Sequence, residues 1–207
     1  MSLTNQSVRD LLAAFSSSAP TPGGGSASAL ASAVGASLLL MVAGLPKTRT
    51  GSDGDRAVLT KAAGELAGIR DQLSHAIDAD TAAYDQVVAA YKLPKASPDE
   101  QGARKAAIQL ALRAATEVPL GVLRLSASAL DQALAIAASG HRAAASDAGV
   151  AIALLRAGAC GARLNVEINI GSIDEAAYAT AVTIDVTRLS EGAARAADEA
   201  EALLRDA

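Results

Sequence analysis

An aspartate stands where the pattern calls for a leucine. Between Arg56 and Tyr91, Leu73, Asp80 and Val87 recur at intervals of seven, and so do Ile77, Tyr84 and Tyr91. These two columns lie side by side on one helix face, so Asp80 falls within an apolar stripe. A lone carboxylate withdrawn from water is costly and needs either partners or a raised pKa. A raised pKa suits general acid–base work near neutral pH. The structural alternatives are a pairing with a buried arginine or the capping of a neighbouring helix. Asp78 and Asp85 point away from the stripe and read as solvated charges.

Other residues could join that acid. Thr21-Pro22-Gly23-Gly24-Gly25-Ser26 is a turn that opens a helix, and free backbone N–H groups at such an end can hold an anion or a carbonyl. It lacks the Gly-Lys-Ser/Thr of a P-loop, and it also reads simply as a tight turn with Ser26 as N-cap. Asn165 and Asn169 share one helix face. Their amides offer the donor–acceptor pairs that a pterin-like ring needs, or they serve an interface between subunits. Asp147, after Ser146, reads as a helix start. His75 and His141 have no Cys or carboxylate at metal-ligand spacing, so no metal is expected. Cys160 reads as a small buried residue, and Gly158 and Gly161 as sites of close helix crossing.

The elements that must position these residues are helical. Of 207 residues 52 are alanine, aromatics make up 2%, and there is no Trp. Alanine is the strongest helix former, and residues suited to strands are too few for a large sheet. The expectation is an all-α, single-domain bundle of long antiparallel helices over residues 1–207. Alanine buries little area, so a second subunit would help, and a homodimer is expected. The spacing predicts helices over 4–18, from the glycine turn to Leu45, over 56–91, over 98–139 with a kink at Pro119, from Ser146-Asp147 to 170, and from a Ser172–Glu175 capping box to 205. No charged residue occurs from Leu11 to Pro46. Within that stretch Ala27 to Leu45 is long enough to span a bilayer, but its serines and alanines favour insertion weakly, and a buried central helix reads better. One cysteine excludes an internal disulfide, and nothing suggests an oxidising compartment, so a cytoplasmic protein is expected. Net charge −4, scattered Lys and Arg, and few stacking aromatics argue against nucleic acid.

The order of these pieces resembles the formimidoyltetrahydrofolate cyclodeaminase family, which includes bacterial methenyltetrahydrofolate cyclohydrolases of similar length. The resemblance runs through Ser16-Ser17-Ser18-Ala19-Pro20-Thr21-Pro22-Gly23-Gly24-Gly25-Ser26, Asp78-Ala79-Asp80-Thr81-Ala82-Ala83-Tyr84, Leu93-Pro94-Lys95, Val118-Pro119-Leu120, Ser146-Asp147-Ala148-Gly149-Val150 and Asn165-Val166-x-x-Asn169. It is collinear over almost the whole chain. It implies a helical homodimer that binds folate in a cleft, with Asp80 as the essential carboxylate and with Thr21, Pro22, Gly23, Gly24, Gly25, Ser26, Asp147, Asn165 and Asn169 around the substrate. The loop at 45–52 departs from the family pattern. Arg49 stands in for a lysine there, and Ser52 falls where a tyrosine is usual. Lys47 and Arg49 remain the basic residues expected to hold the glutamate tail or to polarise the reacting nitrogen.

The implied activity is hydrolysis of 5,10-methenyltetrahydrofolate to 10-formyltetrahydrofolate, or cyclisation of 5-formiminotetrahydrofolate with release of ammonia. Asp80 would be the general acid/base, a tetrahydrofolate derivative the substrate, and no prosthetic group is expected. The rival reading is a catalytically degenerate helical module that binds folate or only dimerises.

Overall fold

The structure, a computed structural model, describes residues 2–205. It consists of six α-helices: α1 (Val8–Phe15), α2 (Gly24–Ala43), α3 (Asp53–Tyr91), α4 (Pro98–Ser139), α5 (Ala145–Ile170) and α6 (Ala176–Arg205). Two short 3-10 turns, Leu3–Asn5 and Arg142–Ala144, precede α1 and α5. No strand occurs among the described residues; a single bridge joins Thr48 to Gly140.

Helix α2 is the central element. It carries no charge, and it packs on α3, α4 and α5. Together with α4 and the 142–170 segment it is long and apolar enough to cross a membrane by length and composition. In this fold its Ala29, Ala36 and Leu39 are fully enclosed by neighbouring helices. The α2–α5 contact is antiparallel and close: Gly35 faces Ala151 and Leu155, while Gly158 and Gly161 face Ser32 and Ser28. A Cβ at Gly158 would overlap Ser32 Oγ and lie 2.7 Å from the Ser28 carbonyl oxygen. Small residues here therefore set the helix separation. Ser32, fully buried, meets Ser126 of α4 at 2.7 Å between hydroxyl oxygens, and Ser126 donates onward to the Val122 carbonyl. The hydroxyls of Ser32 and Ser126 are thus satisfied within the core.

Several boundaries differ from the sequence reading. The first predicted helix is split. Ser7 caps α1 by accepting from the Asp10 N–H, and residues 3–5 form a separate turn. Helix α3 begins three residues earlier than expected, because Ser52 accepts from the Asp55 N–H. Helix α5 starts at Ala145, so Ser146 and Asp147 lie in its first turn and do not cap it. Helix α6 starts at Ala176, which puts Glu175 ahead of the helix, outside the third position a capping box requires. Glu175 pairs instead with Arg113 of α4. The box at Ser97 and Glu100 does form.

The apolar stripe of α3 leaves the core just past Asp80. Leu73 and Ile77 are buried, but Tyr84 and Tyr91 are 41% and 51% exposed. Beyond that point α3 and the start of α4 form a hairpin held by a small cluster of Ala90, Ile108, Ala111 and Leu112. Cys160 is exposed, not buried, because it lies on the outer side of α5 while Ala159 and Ala162 take the inner positions.

Candidate active site

Asp80 meets the start of α2. Its Oδ2 accepts from the Ser26 N–H at 2.8 Å and from the Ser26 hydroxyl at 3.1 Å. The single proton of Ser26 Oγ is shared with the Ile77 carbonyl, which lies at 2.8 Å. Ser26 is therefore not the N-cap of α2. Gly23 holds that position without a side-chain bond, and the carboxylate from α3 supplies the missing acceptor. The cap-like reading of Asp80 and its chemical reading coexist, since only one oxygen is committed. Among the described residues Oδ1 has no hydrogen-bond donor. The positive end of the α2 dipole lies against the carboxylate.

The glycines explain how the acid comes so close. A Cβ at Gly25 would overlap the carboxylate, 2.5 Å from its carbon and 2.7 Å from Oδ2. A Cβ at Gly24 would lie 3.5 Å from Asn165 Nδ2, and that amide donates to the Gly161 carbonyl at 2.8 Å. Asp80, Gly24, Gly25, Ser26 and Asn165 thus form one corner, entered past Thr21, Pro22 and Gly23, all half-buried. The Thr21–Pro22 peptide is cis.

Asn169 points elsewhere. Its Nδ2 donates to the Ala115 carbonyl in α4 at 2.9 Å. Pro119 lies four residues after Ala115 and has no N–H, so that carbonyl lacks its helical donor. Asn169 supplies the replacement and locks α5 to α4. Replacing Asn169 with Ala should destabilise the fold by about 1–3 kcal/mol through the unpaired carbonyl. In a Pro119→Ala background, where the N–H returns, the loss should shrink to well under half. A denaturant-melt double-mutant cycle checks this, and additive losses would refute the latch.

Lys47, Arg49 and Asp147 are not at this corner. They lie towards the opposite end of α2, whose 20 residues span about 30 Å. There Arg49 donates to the Ala137 carbonyl at 3.0 Å, and its N–H bonds Ser139. Arg56 donates to the carbonyls of Ala43, Leu45 and Pro46, terminating α2 with a cation as its dipole favours. An open cavity of about 550 Å³ sits beside them, lined by the 46–53 loop, Arg56, His141 and Arg142. Arg49 is therefore partly a structural tie, and within one subunit the cations stand apart from Asp80.

Asp78, read from sequence as a solvated charge, is a clasp. Its Oδ1 accepts from the Leu3 N–H at 2.6 Å, and its Oδ2 accepts from the Ser2 and Thr4 hydroxyls at 2.6 and 3.1 Å. Burial works to raise its pKa, but the donors from Ser2, Leu3 and Thr4 outweigh it and hold the carboxyl below its usual value. No local pattern could have paired residues 75 positions apart. Thr81, which reaches Ser26 at 3.5 Å, was also silent in the sequence.

Known proteins resemble this chain in sequence and in fold. Residues 7–188 match the family described as Formiminotransferase-cyclodeaminase. The chain is 39% identical over 175 residues to methenyltetrahydrofolate cyclohydrolase of Methylorubrum extorquens, covering 84% of each. It is 31% identical to formimidoyltransferase-cyclodeaminase of Sus scrofa over 93% of this chain but only 36% of that longer protein. The fold matches a solved structure of formiminotetrahydrofolate cyclodeaminase from Thermotoga maritima with a TM-score of 0.86 and 22% identity, over 98% and 97% of the two chains. With the family match covering most of its length, the glycine turn and its apposed aspartate included, the chain belongs to the formiminotransferase-cyclodeaminase family.

Proposed function

We propose that this chain hydrolyses 5,10-methenyltetrahydrofolate to 10-formyltetrahydrofolate. The observation that carries the reading is Asp80 at the glycine turn, held through Oδ2 and free at Oδ1, in a chain aligned over 84% of its length with a methenyltetrahydrofolate cyclohydrolase. Water adds to the cationic carbon between N5 and N10, and Asp80 Oδ1 takes one of its protons. The C–N5 bond then breaks while the added hydroxyl becomes the formyl oxygen. N5 gains a proton as that hydroxyl loses its own, and one proton is released overall. A fixed carboxylate also favours the positively charged substrate electrostatically.

A second reading follows from the names of the animal relatives. In it N10 attacks a formimino carbon on N5, ammonia leaves, and Asp80 shuttles the proton. One experiment separates the two. Loss of methenyltetrahydrofolate absorbance is followed in a buffer that keeps spontaneous hydrolysis slow, beside ammonia release from formimino-folate. Acceleration of the first without the second is the expected result. Acceleration of neither would sink both readings and leave a binding module.

The working unit we infer is a homodimer joined through the outer faces of α2 and α5. That face presents Val34, Met41, Val150, Leu164 and Ile168, each at least 41% exposed. A two-fold axis across the helices would bring the basic loop of one subunit to the corner of the other that holds Asp80 and Asp85. The opposite charges of the two ends favour that register over the parallel one. Glutamate in place of Leu164 should give a monomer by sedimentation equilibrium and remove turnover. A monomeric wild type would exclude this arrangement.

A further inference from the structure

We propose that Asp78 is a positioning residue that closes residues 2–23 as a strap along the cleft beside Asp80. The strap is held at both ends by one helix. At its start Asp78 of α3 takes three donors from Ser2, Leu3 and Thr4, and Leu3 is buried in the main core at 7% exposure. At its finish Asp80, two residues further along α3, takes both donors of Ser26. Between these anchors α1 has no buried residue: half-buried Leu11 is its contact with the main core, and Val8 and Leu12 are 75% and 64% exposed. The middle of the strap therefore contributes little to holding it in place.

Beside the strap lies an open cleft of about 520 Å³, with Gln6, Thr21 and Pro22 on the strap side and Asp78, Thr81 and Asp85 on the α3 side. That volume suits a small organic ligand. Thr81 joins the cleft to the acid, since it also reaches Ser26. A ligand whose reacting carbon meets Asp80 Oδ1 would lay its remaining length along this wall. Releasing the start of the strap would remove the wall without touching the acid. Binding would weaken in the ground state and the transition state alike, which raises KM and leaves kcat in place. This inference rests on the folate reading for its ligand but not for the clasp itself.

The test uses the whole chain, Asp78→Ala, and a second variant, Ser2→Ala/Thr4→Val, which removes two donors and keeps the carboxylate. Two quantities are read: the KM and kcat for methenyltetrahydrofolate, and the rate of tryptic cleavage at the exposed Arg9, identified by mass. For Asp78→Ala we expect KM to rise about tenfold, the scale of one charge-assisted hydrogen bond, with kcat within about twofold. Cleavage at Arg9 should quicken by a similar factor, and 5-formyltetrahydrofolate should slow it in wild type. The Ser2/Thr4 variant should move both readouts the same way, and combining it with Asp78→Ala should add little. Faster cleavage with unchanged KM would overturn the positioning role, as would a fall in kcat at constant KM. Should Asp78→Ala not fold, the Ser2/Thr4 variant decides by the same criteria. Folate inertness of the wild type would sink the functional reading alone, and Arg9 cleavage would still show whether Asp78 holds the strap.

Discussion

Asp80→Asn is expected to lower kcat/KM for methenyltetrahydrofolate by about 10²–10⁴-fold, equivalent to about 3–5 kcal/mol of transition-state stabilisation, while the protein remains folded. The asymmetry of the site supports both halves of that expectation. Oδ2 is an acceptor for the Ser26 N–H and hydroxyl, and an asparagine carbonyl can accept the same two bonds. The α2 terminus therefore keeps its partner, and only the charge and the proton acceptor at the Oδ1 position disappear. A melting temperature within a few degrees of wild type, beside lost turnover, would match. Wild-type turnover in Asp80→Asn would remove the acid from the mechanism. If the variant unfolded instead, the carboxylate would be mainly a structural cap, the other role its position in the stripe allows.

The helical class was legible because composition and period agreed. An alanine-rich chain with few aromatics has no other compact solution, and the Ser97–Glu100 box fixed the start of α4 to the residue. Asp80 stood out for the opposite reason: it broke a period that its neighbours kept. What escaped was long-range. The first 23 residues read as one helix and a turn because local propensity could not show that Asp78 binds residues 2–4. Asn169 read as a ligand of a ring or a residue of an interface between subunits, and the structure gives its amide nitrogen to the carbonyl that Pro119 leaves bare. Both partners were visible in sequence, but the helix pairing that joins them was not. Lys47 and Arg49 joined the site by resemblance alone, although the helix read from the glycine turn to Leu45 already set about 30 Å between that turn and their loop.

Gly25→Ala is the sharpest test of how the corner is built. The added methyl would occupy the space of the Asp80 carboxylate, 2.5 Å from its carbon, and real side chains do not approach so closely. Two relaxations are open. If α2 and α3 separate, the overpacking should cost about 1–3 kcal/mol. If Asp80 rotates away, its bonds to Ser26 are lost and stability falls less. Either outcome moves Oδ1 from its place, so kcat should fall by at least about 10²-fold, because small misplacements are that damaging to catalysis. The melt separates the two routes, and a second background proves the cause. In Asp80→Ala there is no carboxylate to overlap, and alanine is the better helix former by up to about 1 kcal/mol. Gly25→Ala should then be neutral or stabilising, giving a coupling well above the few tenths of a kcal/mol expected of independent sites. An equal loss in both backgrounds would mean that Gly25 is required for a reason other than the aspartate, and activity retained in Gly25→Ala would mean that the observed apposition is not the reactive one.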